Sequence, residues 1–150
     1  MLAKTDLQLE KLLSRWVLYS NTLFVGRAAL GIYAALSVWS GSEKKTVAVP
    51  AIICPDVLIA INAAGCKPEF CDVDTETGIP KPSEWRRAKS MGATAAIIVH
   101  LYGIPVDSNA VRECFSQEGC LIIDDAAQAL GSMFEGKPIG NDGDVGIFSF

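Results

Sequence analysis

The first forty residues place their hydrophobic side chains at helical spacing. Those between residues 5 and 19 are Leu9, Leu12, Leu13, Trp16 and Val17. Their recurrence along one face predicts an amphipathic helix. A second helical pattern, rich in Ala and Leu, covers residues 27–39, and Gly41 is its predicted stop.

From residue 47 onward, short apolar or β-branched runs alternate with helical patterns. The predicted strands cover residues 47–49, 69–73, 95–99 and 121–123. The predicted helices open at Cys54-Pro55-Asp56, after the loop that begins at Pro80, and at Asp107. Runs that are apolar at every position are typical of strands buried on both faces of a parallel sheet. The alternation therefore predicts an α/β fold, in which a mainly parallel sheet with flanking helices is joined by right-handed βαβ units.

Composition narrows the class of protein. The 150 residues suit one domain, and half of them are hydrophobic. The net charge is −4 and no basic run exceeds two residues, so the chain lacks the clustered Lys and Arg that nucleic acid requires. No uncharged apolar stretch reaches the roughly 20 residues of a membrane helix, and charges interrupt the N-terminus where a signal peptide would be apolar. We expect neither nucleic acid nor a membrane as a partner.

The cysteines indicate a reducing compartment. There are five, an odd number without CxxC spacing, whereas small secreted disulfide scaffolds have even counts at higher density. Their spacing also does not suit metal ligands, so no metal site is predicted. We expect the chain to be cytoplasmic.

Polar residues gather where the predicted strands end, which is where open parallel sheets bind ligands. These candidates lie at residues 99–103, 123–128 and 147–150, with the helix start at 26–28 as a fourth. Asp124 and Asp125 directly follow an apolar strand, where a buried carboxylate is costly unless a positive group meets it. That group is either a structural partner, such as a helix N-terminus or an arginine, or a protonated ligand nitrogen. His100, the only histidine, is most simply a hydrogen-bonded structural residue.

Several ordered blocks then resemble one family of enzymes. They are DDAAQALG at 124–131, GKPIG at 136–140, GDVGIFSF at 143–150 and VHLYG at 99–103. Over roughly residues 26–150 the chain resembles the DegT/DnrJ/StrS family of sugar aminotransferases, which depend on pyridoxal 5'-phosphate (PLP). The resemblance implies the PLP-dependent transferase fold of type I. The hydrophobic spacing predicts an N-terminal helical segment over 1–25, and the resemblance implies that 26–150 is a partial large domain that binds the cofactor and stops before the Schiff-base lysine.

The resemblance implies cofactor-binding roles for seven residues. They are Gly26, Arg27, Ala28, Cys54, Asp125, Gln128 and Ser149. Asp125 maps to the aspartate that pairs with the pyridinium nitrogen and keeps the ring an electron sink. Gln128 maps to a residue close to the ring, and Ser149 to a serine that donates to the phosphate. The helix start at 26–28 maps to a segment that binds the same phosphate through its backbone N–H groups.

Two of these positions depart from the family pattern. Arg27 replaces a common small hydroxyl residue, and it either pairs with the phosphate or points to solvent. Cys54 stands where many members stack an aromatic residue on the ring, so ring packing is expected to be weaker or to come from elsewhere.

The implied activity is transfer of an amino group from glutamate or a similar donor to a keto sugar. This sugar would be nucleotide-linked and belong to polysaccharide, lipopolysaccharide or antibiotic sugar biosynthesis, and the complete enzyme would be a homodimer. The family's Schiff-base lysine would lie a few residues beyond Phe150, so no catalytic residue is predicted within the chain. Two alternatives stay open. One is a PLP-dependent sugar dehydratase of the same family, in which a histidine replaces the lysine, and the other is a non-catalytic truncated fragment that keeps half a cofactor site.

Overall fold

A five-stranded parallel sheet forms the centre of the computed structural model, which describes residue 11, residues 13–41 and residues 43–150. Its strands are β1 (Thr46–Pro50), β2 (Lys67–Cys71), β3 (Ala93–Val99), β4 (Leu121–Asp125) and β7 (Val145–Ile147), while β5 (Met133–Phe134) and β6 (Lys137–Pro138) form a separate antiparallel hairpin. The order across the sheet is β2-β1-β3-β4-β7, and every neighbouring pair is parallel. The predicted α/β class is confirmed.

Helices within the described residues connect these strands. They are α1 (Ala28–Ser40), α2 (Pro55–Ala63), α3 (Pro82–Ser90) and α4 (Asn109–Phe115), with a short 3-10 turn at Leu101–Gly103. Pro55 and Pro82 begin their helices because the first helical position needs no N–H donor and suits the φ of proline. Of the helix predicted over residues 5–19, residues 11 and 13 are helical in the structure, residues 14–16 form a turn and residues 17–19 are irregular, while the other positions lie outside the described residues. No helix in the described part of the chain is long and apolar enough to cross a lipid bilayer.

Alternate side chains of the central strands enter two cores on opposite faces of the sheet. The core beside α1 and α2 contains Val47, Val49, Ile97 and Ile123. The core beside α3 and α4 contains Ala48, Ala96, Ile98 and Ile122. Because side chains alternate along a strand, Asp125 follows Ile123 onto the first face and Asp124 follows Ile122 onto the second. The two adjacent carboxylates therefore face different environments.

Residues 133–147 differ most from the sequence-based expectation. Glu135 and Gly136, with φ of 47° and 80°, form the two-residue turn between β5 and β6, and a type I′ turn requires positive φ at both positions. Gly146 lies within β7. A Cβ atom there would lie 2.4 Å from the Tyr19 ring, so the glycine allows the N-terminal segment to approach the strand.

Candidate functional site

A cavity of about 350 Å³ opens at the carboxyl ends of β3 and β4, beside the first turns of α1 and α2. It is lined by all seven residues for which the sequence predicts a cofactor-binding role: Gly26, Arg27, Ala28, Cys54, Asp125, Gln128 and Ser149. The parallel topology brings them together, since strand ends and the starts of the following helices meet at one edge of such a sheet.

Asp125 ends β4 and supplies a buried carboxylate to this cavity. Its side chain is on the α1–α2 face, and the residue is only 6% exposed. The Ala127 N–H donates to Oδ1 at 3.0 Å. Burial raises the pKa of Asp125 above its ordinary value of 3.8, and the Ala127 hydrogen bond only partly opposes this. Among the residues that the structure describes, Asp125 forms no ion pair, so an ionised carboxylate here would be stabilised by a cation in the cavity.

Asp124 has a structural partner on the opposite face. Its Oδ1 lies 2.7 Å from Nε2 of His100, and both residues are at most 2% exposed. Val106 N–H donates to Nδ1 of His100 at 3.0 Å, so Nδ1 must carry a lone pair and Nε2 the proton. The other carboxylate oxygen of Asp124 accepts the Asp142 N–H at 3.0 Å. The partner is thus a neutral histidine, rather than the arginine or helix N-terminus that the sequence suggested.

Gln128 is oriented by the 3-10 turn that follows β3. The Tyr102 N–H donates to its Oε1 at 3.0 Å, which identifies the oxygen of the amide because a backbone N–H cannot accept. Tyr102 has a φ of 55°, an uncommon backbone conformation for a bulky residue. With Oε1 engaged, the amide NH₂ is the group that Gln128 offers to a ligand in the cavity.

The start of α1 supplies free backbone donors to the cavity. The first hydrogen bonds of the helix run from the N–H groups of Leu30 and Gly31 to the carbonyl of Arg27. Ala28 and Ala29 therefore have N–H groups without partners within the helix, and both residues line the cavity. Ser149, an exposed residue just after β7, lines the same cavity with its hydroxyl-bearing side chain. This combination of donors suits an anion.

The rim of the cavity carries an ion pair that sequence analysis did not anticipate. Nη2 of Arg27 lies 3.2 Å from Oδ2 of Asp56, and both residues line the cavity. Asp56 had been noted only as part of a helix start. Its position in the first turn of α2, directly after Cys54 and Pro55, was the available signal. Cys54 is the exposed N-cap of α2 and presents a thiol to the cavity wall.

Curated proteins of similar sequence include a synthase and an aminotransferase. The chain is 34% identical over 134 residues to GDP-perosamine synthase of Escherichia coli O157:H7 and covers 36% of that protein. It is 32% identical over 115 residues to L-glutamine:2-deoxy-scyllo-inosose aminotransferase of Streptomyces kanamyceticus and covers 26% of it. These matches include 89% and 77% of the present chain. The chain thus spans about a quarter to a third of the length of these relatives.

Solved structures share the fold. An aminotransferase from Psychrobacter cryohalolentis superposes with a TM-score of 0.81 at 24% identity, over 91% of this chain and 34% of that one. The GDP-4-keto-6-deoxy-D-mannose-3-dehydratase of E. coli, solved with bound hydrated PLP, has a TM-score of 0.82 at 17% identity, over 94% of this chain and 38% of its own. The fold is therefore that of PLP-dependent enzymes of fold type I.

A model of one sequence family matches almost every residue of the chain. The family is described as the DegT/DnrJ/EryC1/StrS aminotransferase family, and the match runs over residues 2–150. It agrees with the resemblance carried by the motifs after β3 and β4, and pyridoxal phosphate is the cofactor of this family. The chain belongs to the DegT/DnrJ/EryC1/StrS aminotransferase family.

Proposed function

We propose that residues 26–150 supply the ring-nitrogen and phosphate-binding part of a PLP site in an aminotransferase that acts on a keto sugar. The observation that carries the proposal is the position of Asp125. Its buried carboxylate faces the same cavity as the free N–H groups at the start of α1 and the amide of Gln128. The Asp125 carboxylate can pair with a cation, and the N–H groups at the start of α1 can bind an anion. These two groups match the pyridinium nitrogen and the phosphate of PLP.

Asp125 would bind and hold the proton on the pyridine nitrogen of PLP. Burial disfavours the isolated carboxylate, so a protonated nitrogen in the cavity would be stabilised by Asp125 and would stabilise it in return. When bound, PLP supplies an electron-withdrawing ring that stabilises negative charge developing on the substrate carbon. The contribution of the chain would be to keep that ring protonated through the buried carboxylate of Asp125.

The phosphate of PLP would bind at the start of α1. The N–H groups of Ala28 and Ala29 have no partner within the helix, and the helix dipole is positive at this end. Ser149 lines the same cavity and would donate a hydroxyl. The cavity volume of about 350 Å³ falls within the roughly 300–1,000 Å³ typical of small-molecule sites. These residues fit the cofactor.

Gln128 would fix the rotation of the ring. Because Tyr102 N–H occupies Oε1, the NH₂ group is free to donate to the ring hydroxyl or to the substrate. Cys54 offers little area for stacking on the ring, so more of the cofactor affinity would come from polar contacts. None of the lysines that the structure describes lines the cavity. The cavity residues would therefore bind PLP without a covalent bond.

Two relatives support a sugar as the substrate class. GDP-perosamine synthase and the 2-deoxy-scyllo-inosose aminotransferase are named for amino-group chemistry on sugar or cyclitol substrates. We infer for this protein a nucleotide-linked keto sugar as acceptor and glutamate or a similar amino acid as donor. The five free cysteines support a cytoplasmic location.

We further propose that the complete enzyme is a homodimer. A mainly apolar groove of about 130 Å³ lies next to the cavity and shares Val99 and Leu101 with it. Its rim exposes Ile52, Tyr102 and Ile104, each at least 46% accessible. A second copy seated there would cover these side chains and border the cofactor cavity. Ile104→Glu should lower the mass measured by light scattering from dimer to monomer, and an unchanged mass would reject this interface.

Cofactor binding is tested by titrating PLP into the chain under equilibrium dialysis. We expect saturable binding that Asp125→Asn weakens by about tenfold or more, the value of one charge-assisted hydrogen bond. Asp72→Asn is the matched control, because Asp72 is exposed and is not among the cavity residues. Binding of equal strength in the wild-type and Asp125→Asn chains would contradict the proposal.

Activity is tested on the gene product that carries this sequence. It would be incubated with PLP, glutamate and a nucleotide-linked 4-keto sugar, and the sugar product would be analysed by mass spectrometry. Gain of an amino group in place of the carbonyl oxygen supports the aminotransferase. Loss of a hydroxyl group supports the dehydratase instead, and an unchanged sugar would contradict both.

A further inference from the structure

The Arg27–Asp56 pair spans the mouth of the candidate cofactor cavity. Arg27 is the N-cap of α1 and Asp56 lies in the first turn of α2, so the pair joins the starts of the two helices. The side chains are 79% and 42% exposed, and both residues line the cavity. An ion pair this exposed contributes little to the stability of the fold. Stability therefore does not account for the presence of this pair at the cavity mouth.

The charges at this mouth are balanced before any ligand enters. Asp56 is favoured by the positive end of the α2 dipole, and it neutralises the guanidinium of Arg27. The free N–H groups of Ala28 and Ala29 lie at the residues that directly follow Arg27. A phosphate bound at the start of α1 would therefore compete with the Asp56 carboxylate for the Arg27 guanidinium.

A dianionic phosphate is the stronger partner in that competition. Its oxygens match the planar guanidinium in a bidentate arrangement and carry more charge than one carboxylate. Because the exposed ion pair is weak, its loss costs little, and Arg27 needs only side-chain rotation to leave Asp56. Neutral ligands have no means of displacing Asp56.

We propose that Asp56 sets the phosphate affinity of the site: it holds Arg27 at the cavity mouth, and a phosphorylated ligand must displace it to reach the guanidinium. The proposal rests on the proposed function, since the phosphorylated ligand is PLP. Asp56 lowers the affinity for the phosphate and thereby reduces the preference of the site for PLP over pyridoxal. Arg27 acts as a phosphate ligand that is neutralised in the free protein.

The test is a double-mutant cycle with two probes. Binding of PLP and of pyridoxal, which lacks the phosphate, is measured by equilibrium dialysis for wild type, Asp56→Asn, Arg27→Ala and the double variant. Asp56→Asn should tighten PLP binding by about fivefold at low salt and leave pyridoxal within twofold. In the Arg27→Ala background, which itself binds PLP more weakly, the effect of Asp56→Asn should fall by at least half.

Glu43→Gln is the matched control for net charge. Glu43 is an exposed partner of Lys45 near the amino end of β1. Its substitution by Gln removes one negative charge, as Asp56→Asn does, but far from the cavity. We expect no change in PLP binding, and Asp56→Ser serves as a second variant should Asp56→Asn fold poorly.

The possible failures are distinguishable. If wild type binds PLP but Asp56→Asn binds it equally or more weakly, the ion pair is structural and this inference is wrong, while the proposed function stands. If neither wild type nor Asp56→Asn binds PLP, the proposed function itself fails and the inference with it. Equal tightening for pyridoxal would also overturn the inference, because the phosphate would not be the group that displaces Asp56.

Discussion

The Nε2–H group of His100 donates a hydrogen bond to Oδ1 of Asp124, with 2.7 Å between the two atoms. This contact lies on the face of β4 opposite to the face that carries Asp125. The same histidine donates its backbone N–H to the carbonyl of Asp125. His100, the residue that directly follows β3, therefore contacts both acidic residues of β4. Its ring bonds to the side chain of Asp124, and its backbone N–H bonds to the backbone carbonyl of Asp125.

His100→Phe should destabilise the fold. The change leaves the buried Asp124 oxygen without its donor and the Val106 N–H without its acceptor, at a cost of about 3 kcal/mol in the free energy of unfolding. Urea denaturation followed by circular dichroism measures the loss. Asp107→Asn, at an exposed residue that accepts only the Asn109 N–H, should change stability by about 0.5 kcal/mol or less. A similar small effect for His100→Phe would show that the pair does not support the fold.

Asp125→Asn should stabilise the ligand-free chain while it weakens PLP binding. Since burial raises the pKa of Asp125 above 3.8, the folded state holds the proton more tightly than the unfolded state. Stability is therefore lost as pH rises from 3.8 through the raised pKa. The amide avoids this penalty, so the variant should gain about 1 kcal/mol near pH 7, and the gain should shrink toward pH 4.

Urea denaturation across this pH range measures that difference. Asp72→Asn controls for the change in net charge, since Asp72 is exposed. An Asp125→Asn chain that is less stable than wild type at neutral pH would show that the carboxylate already has a stabilising partner in the free protein.

The parallel sheet could be predicted because its strands are buried on both faces. The apolar runs at 95–99 and 121–123 can be recognised as strands without knowing which strands they pair with, and they correspond to β3 and β4. The cavity position of Asp125 could be expected in the same way, since strand ends meet at one edge. These features depend on local pattern and on general rules of topology.

The contacts between distant residues could not be predicted. Alternation along β4 separates Asp124 from Asp125, but only the pairing of β4 with β3 brings His100 to Asp124. The Arg27–Asp56 pair joins two helices whose relative placement no local pattern encodes. The β5–β6 hairpin was missed because strands of two residues have no periodicity to detect.

Gln128→Ala should weaken PLP binding by about tenfold without loss of stability. Gln128 is exposed and its Oε1 accepts only the Tyr102 N–H, so truncation removes the donor offered to the ligand and little packing. Gln128→Glu keeps an acceptor for Tyr102 but replaces the NH₂ donor by an anionic oxygen. It should weaken binding at least as much as alanine, as measured by the same dialysis. Wild-type affinity for Gln128→Glu would exclude a donor role for the amide.

Gly140→Ala tests whether the turn before β7 holds the cavity together. Gly140 has a φ of 84°, and a Cβ there would lie 2.7 Å from the Ala126 Cβ and from the Phe148 ring. Those two residues adjoin Asp125 and Ser149, so relief of the clash would move both ends of the cavity. We expect a loss of about 3 kcal/mol, in part from the positive φ and in part from overpacking, together with weaker PLP binding.

Gly136→Ala isolates the contribution of the positive φ. Gly136 has nearly the same φ, 80°, but a Cβ there would meet nothing within 4 Å. This variant should lose only the conformational part, about 1 kcal/mol, and should keep wild-type PLP affinity because the β5–β6 turn is not among the cavity residues. The difference between the two alanine variants then measures the close packing of Ala126, Gly140 and Phe148. Equal losses of stability and affinity in both would show that this packing does not position Asp125 and Ser149.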